Sequence, residues 1–123
     1  PDGSVPTANI SSISHLNVSY KGISDLTGLE EFIALTELKC NNNQITSLDV
    51  SYNTALTVLD CYGNQLTSLP EGICDMPSIK SIKASNNYLC EKYLEDCIDV
   101  FYPQNQSNCC SVNGNLKWAK CLE

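Results

Sequence analysis

The stretch from Leu35 to Leu69 states one pattern twice. Leu35, Leu38, Cys40, Asn43, Ile45 and Leu48 return as Leu56, Leu59, Cys61, Asn64, Leu66 and Leu69, each 21 residues on (56 − 35 = 21). A fixed period near twenty residues means that one small unit is stacked on copies of itself, because a single unit cannot bury its own apolar face. Within a unit, Leu38 and Cys40 point to one side of a short strand while Glu37, Lys39 and Asn41 point to the other. The chain must then turn. Asn43 and Asn64 stand where a buried amide can bond backbone groups that no strand ladder reaches.

The order L-x-x-L-x-C-x-x-N-x-L at this period is that of a leucine-rich-repeat solenoid, a horseshoe fragment with parallel strands on its concave side. The template extends both ways. Ile13, Leu16, Val18, Ile23 and Leu26 fit it one unit earlier (35 − 13 = 22), with Lys21 in the asparagine position; a terminal unit has a neighbour on one side only and can lack the amide. Ile79, Ile82, Ala84, Asn87 and Leu89 fit it one unit later (79 − 56 = 23). The reading is therefore a lead-in over 1–12, four repeats over 13–89 with four short strands, and an asparagine ladder of Asn43, Asn64 and Asn87. Between Leu48 and Leu56 the residues DVSYNTA are too few for a helix, so the convex side should be irregular turns.

After Leu89 the period stops. Leu94, Cys97, Ile98 and Phe101 fall at i, i+3, i+4 and i+7, which predicts a short amphipathic helix stopped by Pro103. Asn113-Gly114 is a two-residue turn signal and predicts a hairpin, with Trp118 packing it down. Residues 90–123 thus read as a disulfide-stabilised helical and hairpin cap, the closure that a solenoid end requires.

Eight cysteines in 123 residues point to an oxidising setting, a secreted or cell-surface chain. No C-x-x-C pair occurs and the one histidine is distant, so no metal and no cofactor is expected. Cys40 and Cys61 occupy core positions and read as buried free thiols rather than as a bridge, although strands roughly 4.8 Å apart would allow one. The other six admit fifteen connectivities. Cys90 and Cys97 within one helix would be ~10.5 Å apart, too far to bridge. Cys74 and Cys97 are one period apart (97 − 74 = 23), which favours Cys74–Cys97, and then Cys90–Cys109 and Cys110–Cys121. A net charge of −7 speaks against nucleic acid and anionic membranes, and no apolar run approaches the ~20 residues of a membrane span.

With these residues in view, the chain resembles the secreted leucine-rich-repeat proteins of Bacteroidetes and related marine bacteria. The block PTANISSISHLNVSYKGISDLTGLEEFIALTEL is similar to their first unit, NNQITSLDVSYNTALTVLDCYGNQLTSL to their repeat, and NNYLCEKYLEDCID…NQSNC to a cysteine-bearing ending of some such arrays. In that family an acidic helical segment usually precedes the first unit. Its absence here implies either a boundary at Pro1 or an N-terminal edge covered by something else.

Solenoids of this class bind on the outward positions of the concave strands. Those are His15, Asn17 and Ser19; Glu37, Lys39 and Asn41; Val58, Asp60 and Tyr62; and Ser81, Lys83 and Ser85. The set is polar and mixed in sign, with Tyr62 its one large aromatic, the residue type that anchors interfaces. No catalytic constellation accompanies it. The leading expectation is a non-catalytic binding module for a protein or glycan. The alternative is a structural subunit that self-associates end to end through its uncapped N-terminal edge into a fibre or surface layer.

Overall fold

The structure is a computed structural model and describes residues 10–70, 72–90, 98–100, 103–107, 109–112 and 115–118. Five strands form one parallel sheet in chain order: β1 (His15–Asn17), β2 (Glu37–Lys39), β3 (Val58–Asp60), β4 (Ser81–Lys83) and β5 (Ile98–Val100). Leu16, Leu38, Leu59 and Ile82 stand in register across the first four, so each repeat contributes one rung and one inward apolar residue. The leucine-rich-repeat expectation is met there, and the convex turns fall as expected.

The fifth strand corrects the predicted helix. Ile98–Val100 lie extended beside β4, with Ile98 paired to Ile82 and a register shift before Lys83 pairs with Val100. Leu94, Cys97 and Phe101, the other members of the helical pattern, lie outside the described residues. A neighbouring sheet edge decides the outcome: β4 offers a row of backbone donors and acceptors, and pairing satisfies them where a helix would not. The predicted hairpin is present. β6 (Cys109–Val112) pairs antiparallel with β7 (Asn115–Trp118), Cys109 opposite Trp118 and Val112 opposite Asn115, and the Asn113-Gly114 signal itself lies outside the described residues. The packing of Trp118 lies outside the described side chains.

The core is the column that the repeat predicted. Leu35, Leu38, Cys40, Leu56, Leu59, Cys61, Leu66, Ile82, Ala84 and Leu89 are fully buried. Leu16, Val18, Ile23 and Leu26 of the first rung are only partly buried, as an end position dictates. On the convex side, one-turn 3-10 helices at Leu29–Glu31 and Ile73–Asp75 insert Leu29 and Ile73 into the core. The second rung has turns there instead. In compensation, buried Asn53 donates to the Leu29 and Phe32 carbonyls of the previous rung at 3.0 and 3.1 Å, while no donor reaches its own Oδ1. The sequence reading passed over Asn53.

Candidate binding face

The first four rungs turn out of their strands through the same device. Tyr20, Asn42, Gly63 and Asn86 occupy equivalent places, and all have left-handed backbone, with φ of 57, 58, 72 and 57°. Glycine and asparagine tolerate this region well, and at Gly63 a Cβ would stand 2.7 Å from Asn42 Oδ1. Tyr20 is the exception in type.

One residue further on, the ladder amides lock the turns together. Asn43 accepts from the Lys21 and Ile23 N–H groups of the rung before it (2.9 and 3.0 Å) and donates to the Val18 and Cys40 carbonyls (2.9 and 3.0 Å). Asn64 repeats this with Ile45 N–H and the Cys40 and Cys61 carbonyls, and Asn87 with Leu66 N–H and the Cys61 and Ala84 carbonyls. Sequence reasoning missed how the series ends. Gln104 Oε1 accepts from the Asn87 and Leu89 N–H groups at 3.1 Å each, and its Nε2 donates to the Ala84 carbonyl at 2.6 Å. A glutamine amide therefore does for the fourth rung what asparagine does for the others. Gln106 adds a bond from Nε2 to the Leu89 carbonyl.

On this scaffold the outward side chains form rows across the strands. His15, Glu37, Val58 and Ser81 make the first, and Asn17, Lys39, Asp60 and Lys83 the second. Along the second row the charges alternate, yet among the described residues the ion pair within reach is Lys39–Glu37, at 3.9 Å on one strand. The third row, Ser19, Asn41, Tyr62 and Ser85, is knitted by hydrogen bonds at its start. The Ser19 hydroxyl stands between the Oδ1 atoms of Asn17 (2.6 Å) and Asn41 (2.5 Å). Asn86 Nδ2 donates to the Tyr62 hydroxyl at 2.7 Å, fixing that ring's tip.

Ser85 departs from the expectation. It is buried, because the segment at Pro103 to Asn105 runs beside it and bonds the Asn86 N–H and Asn87 carbonyl. The face therefore narrows at its C-terminal end, and among the described residues nothing comparable runs beside Ser19 at the other end. There a cleft of about 530 Å³ is lined by Asn17, Ser19, Tyr20, Lys39, Asn41 and Asp60, with Lys21 at its side. Tyr20, 74% exposed, was not among the expected face residues.

The cysteines divide in two. Cys40 and Cys61 are free and buried, their thiols directed at the Asp60 and Lys83 carbonyls of the next rung. Burial, and behind it the negative charge of Asp60, pushes the Cys40 thiol up to about 12; burial likewise holds Cys61 well above its ordinary range. Neither can serve as a nucleophile at neutral pH. Cys90 and Cys109 form a disulfide, one of the expected pairs, pinning the end of the fourth rung to the hairpin. Cys74 is also disulfide-bonded. The expected pairings through Cys97 and Cys121, and the side chain of Cys110, lie outside the described residues. Among those residues no cluster of three metal-ligating side chains occurs and no helix is long and apolar enough to cross a membrane.

Four short motifs share one local cause. In Asn17-Val-Ser19, Asp25-Leu-Thr27, Asp49-Val-Ser51 and Asn105-Gln-Ser107, the first side chain accepts from the N–H two residues on. These bonds, hydroxyl first, hold the Asp25 and Asp49 carboxyls below the usual range.

Comparison with known proteins agrees with this geometry. A family model described as Leucine Rich Repeat matches residues 55–76, the third rung. Internalin J of Listeria monocytogenes serotype 4b (strain F2365) is 40% identical over 45 residues, 37% of this chain and 5% of that protein. A solved structure described as the functional domain of InlJ from Listeria monocytogenes, including a cysteine ladder, superposes with a TM-score of 0.64 at 33% identity, over 69% of this chain and 18% of that one. The chain thus spans a small part of the length of the proteins it matches. Rung register, amide ladder and these likenesses lead to one conclusion: the fold is a leucine-rich-repeat solenoid.

Proposed function

We propose that the chain is a non-catalytic recognition module of a secreted or cell-surface protein, and that it binds a protein or glycan partner through its concave sheet. The observation that carries this reading is the row Asn17–Lys39–Asp60–Lys83. It sits on a hydrogen-bonded sheet whose turns the amide ladder bridges, and Asp60 pairs with neither flanking lysine. Charges held apart on a preorganised surface are available to a partner at little ordering cost. The disulfides support an oxidising compartment. The leucine-rich-repeat architecture, shared with the InlJ domain, supports recognition, since stacked repeats present an extended concave surface.

The test is binding of labelled protein to arrays of extracellular proteins and of glycans. Reversing the face with Lys39→Glu and Asp60→Lys should abolish signals that the exposed convex control Tyr52→Ala leaves intact. Loss in the convex variant alone would sink the reading.

End-to-end assembly is the weaker alternative. A head-to-tail stack needs an open ladder at both ends, and Gln104 already occupies the ladder's C-terminal place. A solution mass near 13.5 kDa that does not change with concentration would exclude it.

A further inference from the structure

We infer that the cleft at the N-terminal end of the concave face is a subsite for an acidic saccharide, a sugar bearing a carboxylate. Tyr20 stacks on the ring, and Lys21 and Lys39 receive the charge. This rests on the concave-face reading and gives it a ligand class.

Tyr20 carries the argument. The other three rungs place asparagine or glycine at this turn, the types that suit left-handed backbone, yet Tyr20 adopts φ 57°. Its ring is 74% exposed and contributes nothing to the core. A residue that suits neither its backbone nor its packing points to a role outside the fold. Tyr20 borders the 530 Å³ cleft, whose other lining residues are all polar or charged: Asn17, Ser19, Lys21, Lys39, Asn41 and Asp60.

This wall composition separates ligand classes. Protein hot spots are desolvated pockets filled by large apolar or arginine side chains, and no such pocket exists here. A pyranose is the better complement. Its hydroxyls match a dense set of mixed donors and acceptors, while its C–H face carries the slight positive charge that an aromatic face attracts. Charge then selects among sugars. The chain as a whole is at −7, but the cleft holds two lysines against one aspartate. The long Lys39–Glu37 contact of 3.9 Å is readily exchanged for a ligand carboxylate.

The experiment is an amide NMR titration of the intact chain with three probes: trigalacturonic acid, neutral galactotriose, and an acidic Glu-Ser hexapeptide. Trigalacturonic acid should move the Ser19, Tyr20, Lys21 and Asn41 signals, with galactotriose at least about tenfold weaker. Tyr20→Asn, which installs the residue of the second and fourth rungs, and Lys39→Gln should each weaken binding about tenfold while the remaining spectrum stays in place. No shift with either sugar overturns the inference, as does equal binding of both sugars or binding that survives Tyr20→Asn. Shifts with the peptide alone also overturn it, yet leave the concave face standing as a protein-binding surface. Loss of array binding in the face-reversal variants of the previous section concerns the broader reading alone.

Discussion

The two ends of the amide ladder solve one problem differently. Each ladder asparagine serves the rung before it: Asn43 accepts from Lys21 and Ile23 N–H groups, not from those of its own turn. The first rung therefore needs no amide of its own, and the ladder sets no demand on the Lys21 side chain, since it uses only that residue's backbone. The fourth rung has the opposite need. Its turn N–H groups, at Asn87 and Leu89, require an amide from beyond, and Gln104 supplies it. The polarity of the ladder explains why lysine serves at position 21 in the first described rung, whereas Asn87 needs a further amide beyond it.

The sharpest way to break this comparison is in the middle. Asn64→Ala should leave Ile45 N–H buried without a partner and the Cys40 and Cys61 carbonyls with only the Asn43 and Asn87 amides, costing about 3 kcal/mol in urea unfolding. Lys21→Ala, the equivalent place in the first rung, should change stability by less than about 0.5 kcal/mol. Similar losses at both places would refute the polarity argument.

The C-terminal end should answer to two separate changes. Cys90→Ser with Cys109→Ser removes the bridge over 19 residues and should cost about 3 kcal/mol. Gln104→Ala should cost about 2 kcal/mol, and hydrogen exchange should accelerate at the Asn87 and Leu89 amides in particular. Unchanged protection at those two amides would mean that Gln104 is not the ladder's closing member.

These ends also mark how far the sequence could be read. Four rungs were legible because the core positions, the strand alternation and Asn43, Asn64 and Asn87 recur at 21 to 23 residues. The fifth was not: from Ile82 to Ile98 the step is only 16 residues (98 − 82 = 16), and no leucine consensus survives. The helical spacing of Leu94, Cys97, Ile98 and Phe101 hid the strand at Ile98–Val100, since nothing local announces the sheet edge that it joins. Gln104 hid for a simpler reason. It has one methylene more than asparagine, so its amide reaches the ladder from outside the template. On the face itself, strand alternation placed eleven of the twelve expected residues outward and failed at Ser85, which the fifth rung buries. Tyr20 was missed because it lies on the turn, where alternation has no meaning.

The thiols give a pH-dependent contrast between core and surface. Unfolded cysteine ionises near 9.0, whereas folded Cys40 does so at about 12. Above pH 9.0 the unfolded chain therefore binds fewer protons than the folded one. The thiol contribution should be constant below that pH, then fall by about 1.4 kcal/mol per pH unit for each buried thiol as pH rises towards the folded value. Urea midpoints at a series of alkaline pH values, compared with a Cys40→Ala/Cys61→Ala variant to subtract tyrosine ionisation, would show it. A slope unchanged in that variant would mean the thiols are not responsible.

The smallest expected effect has the opposite sign. Tyr20→Asn puts at the first turn the residue type found at Asn42 and Asn86, and relieves a left-handed tyrosine whose ring buries nothing. It should stabilise the chain by about 0.5–1 kcal/mol, read as a higher urea midpoint with unchanged slope. A residue whose removal strengthens the fold is retained for something other than folding, and sites of recognition are where such local costs collect. If Tyr20→Asn instead weakens the fold, the ring has a packing role, and the strongest reason to place a ligand beside it is gone.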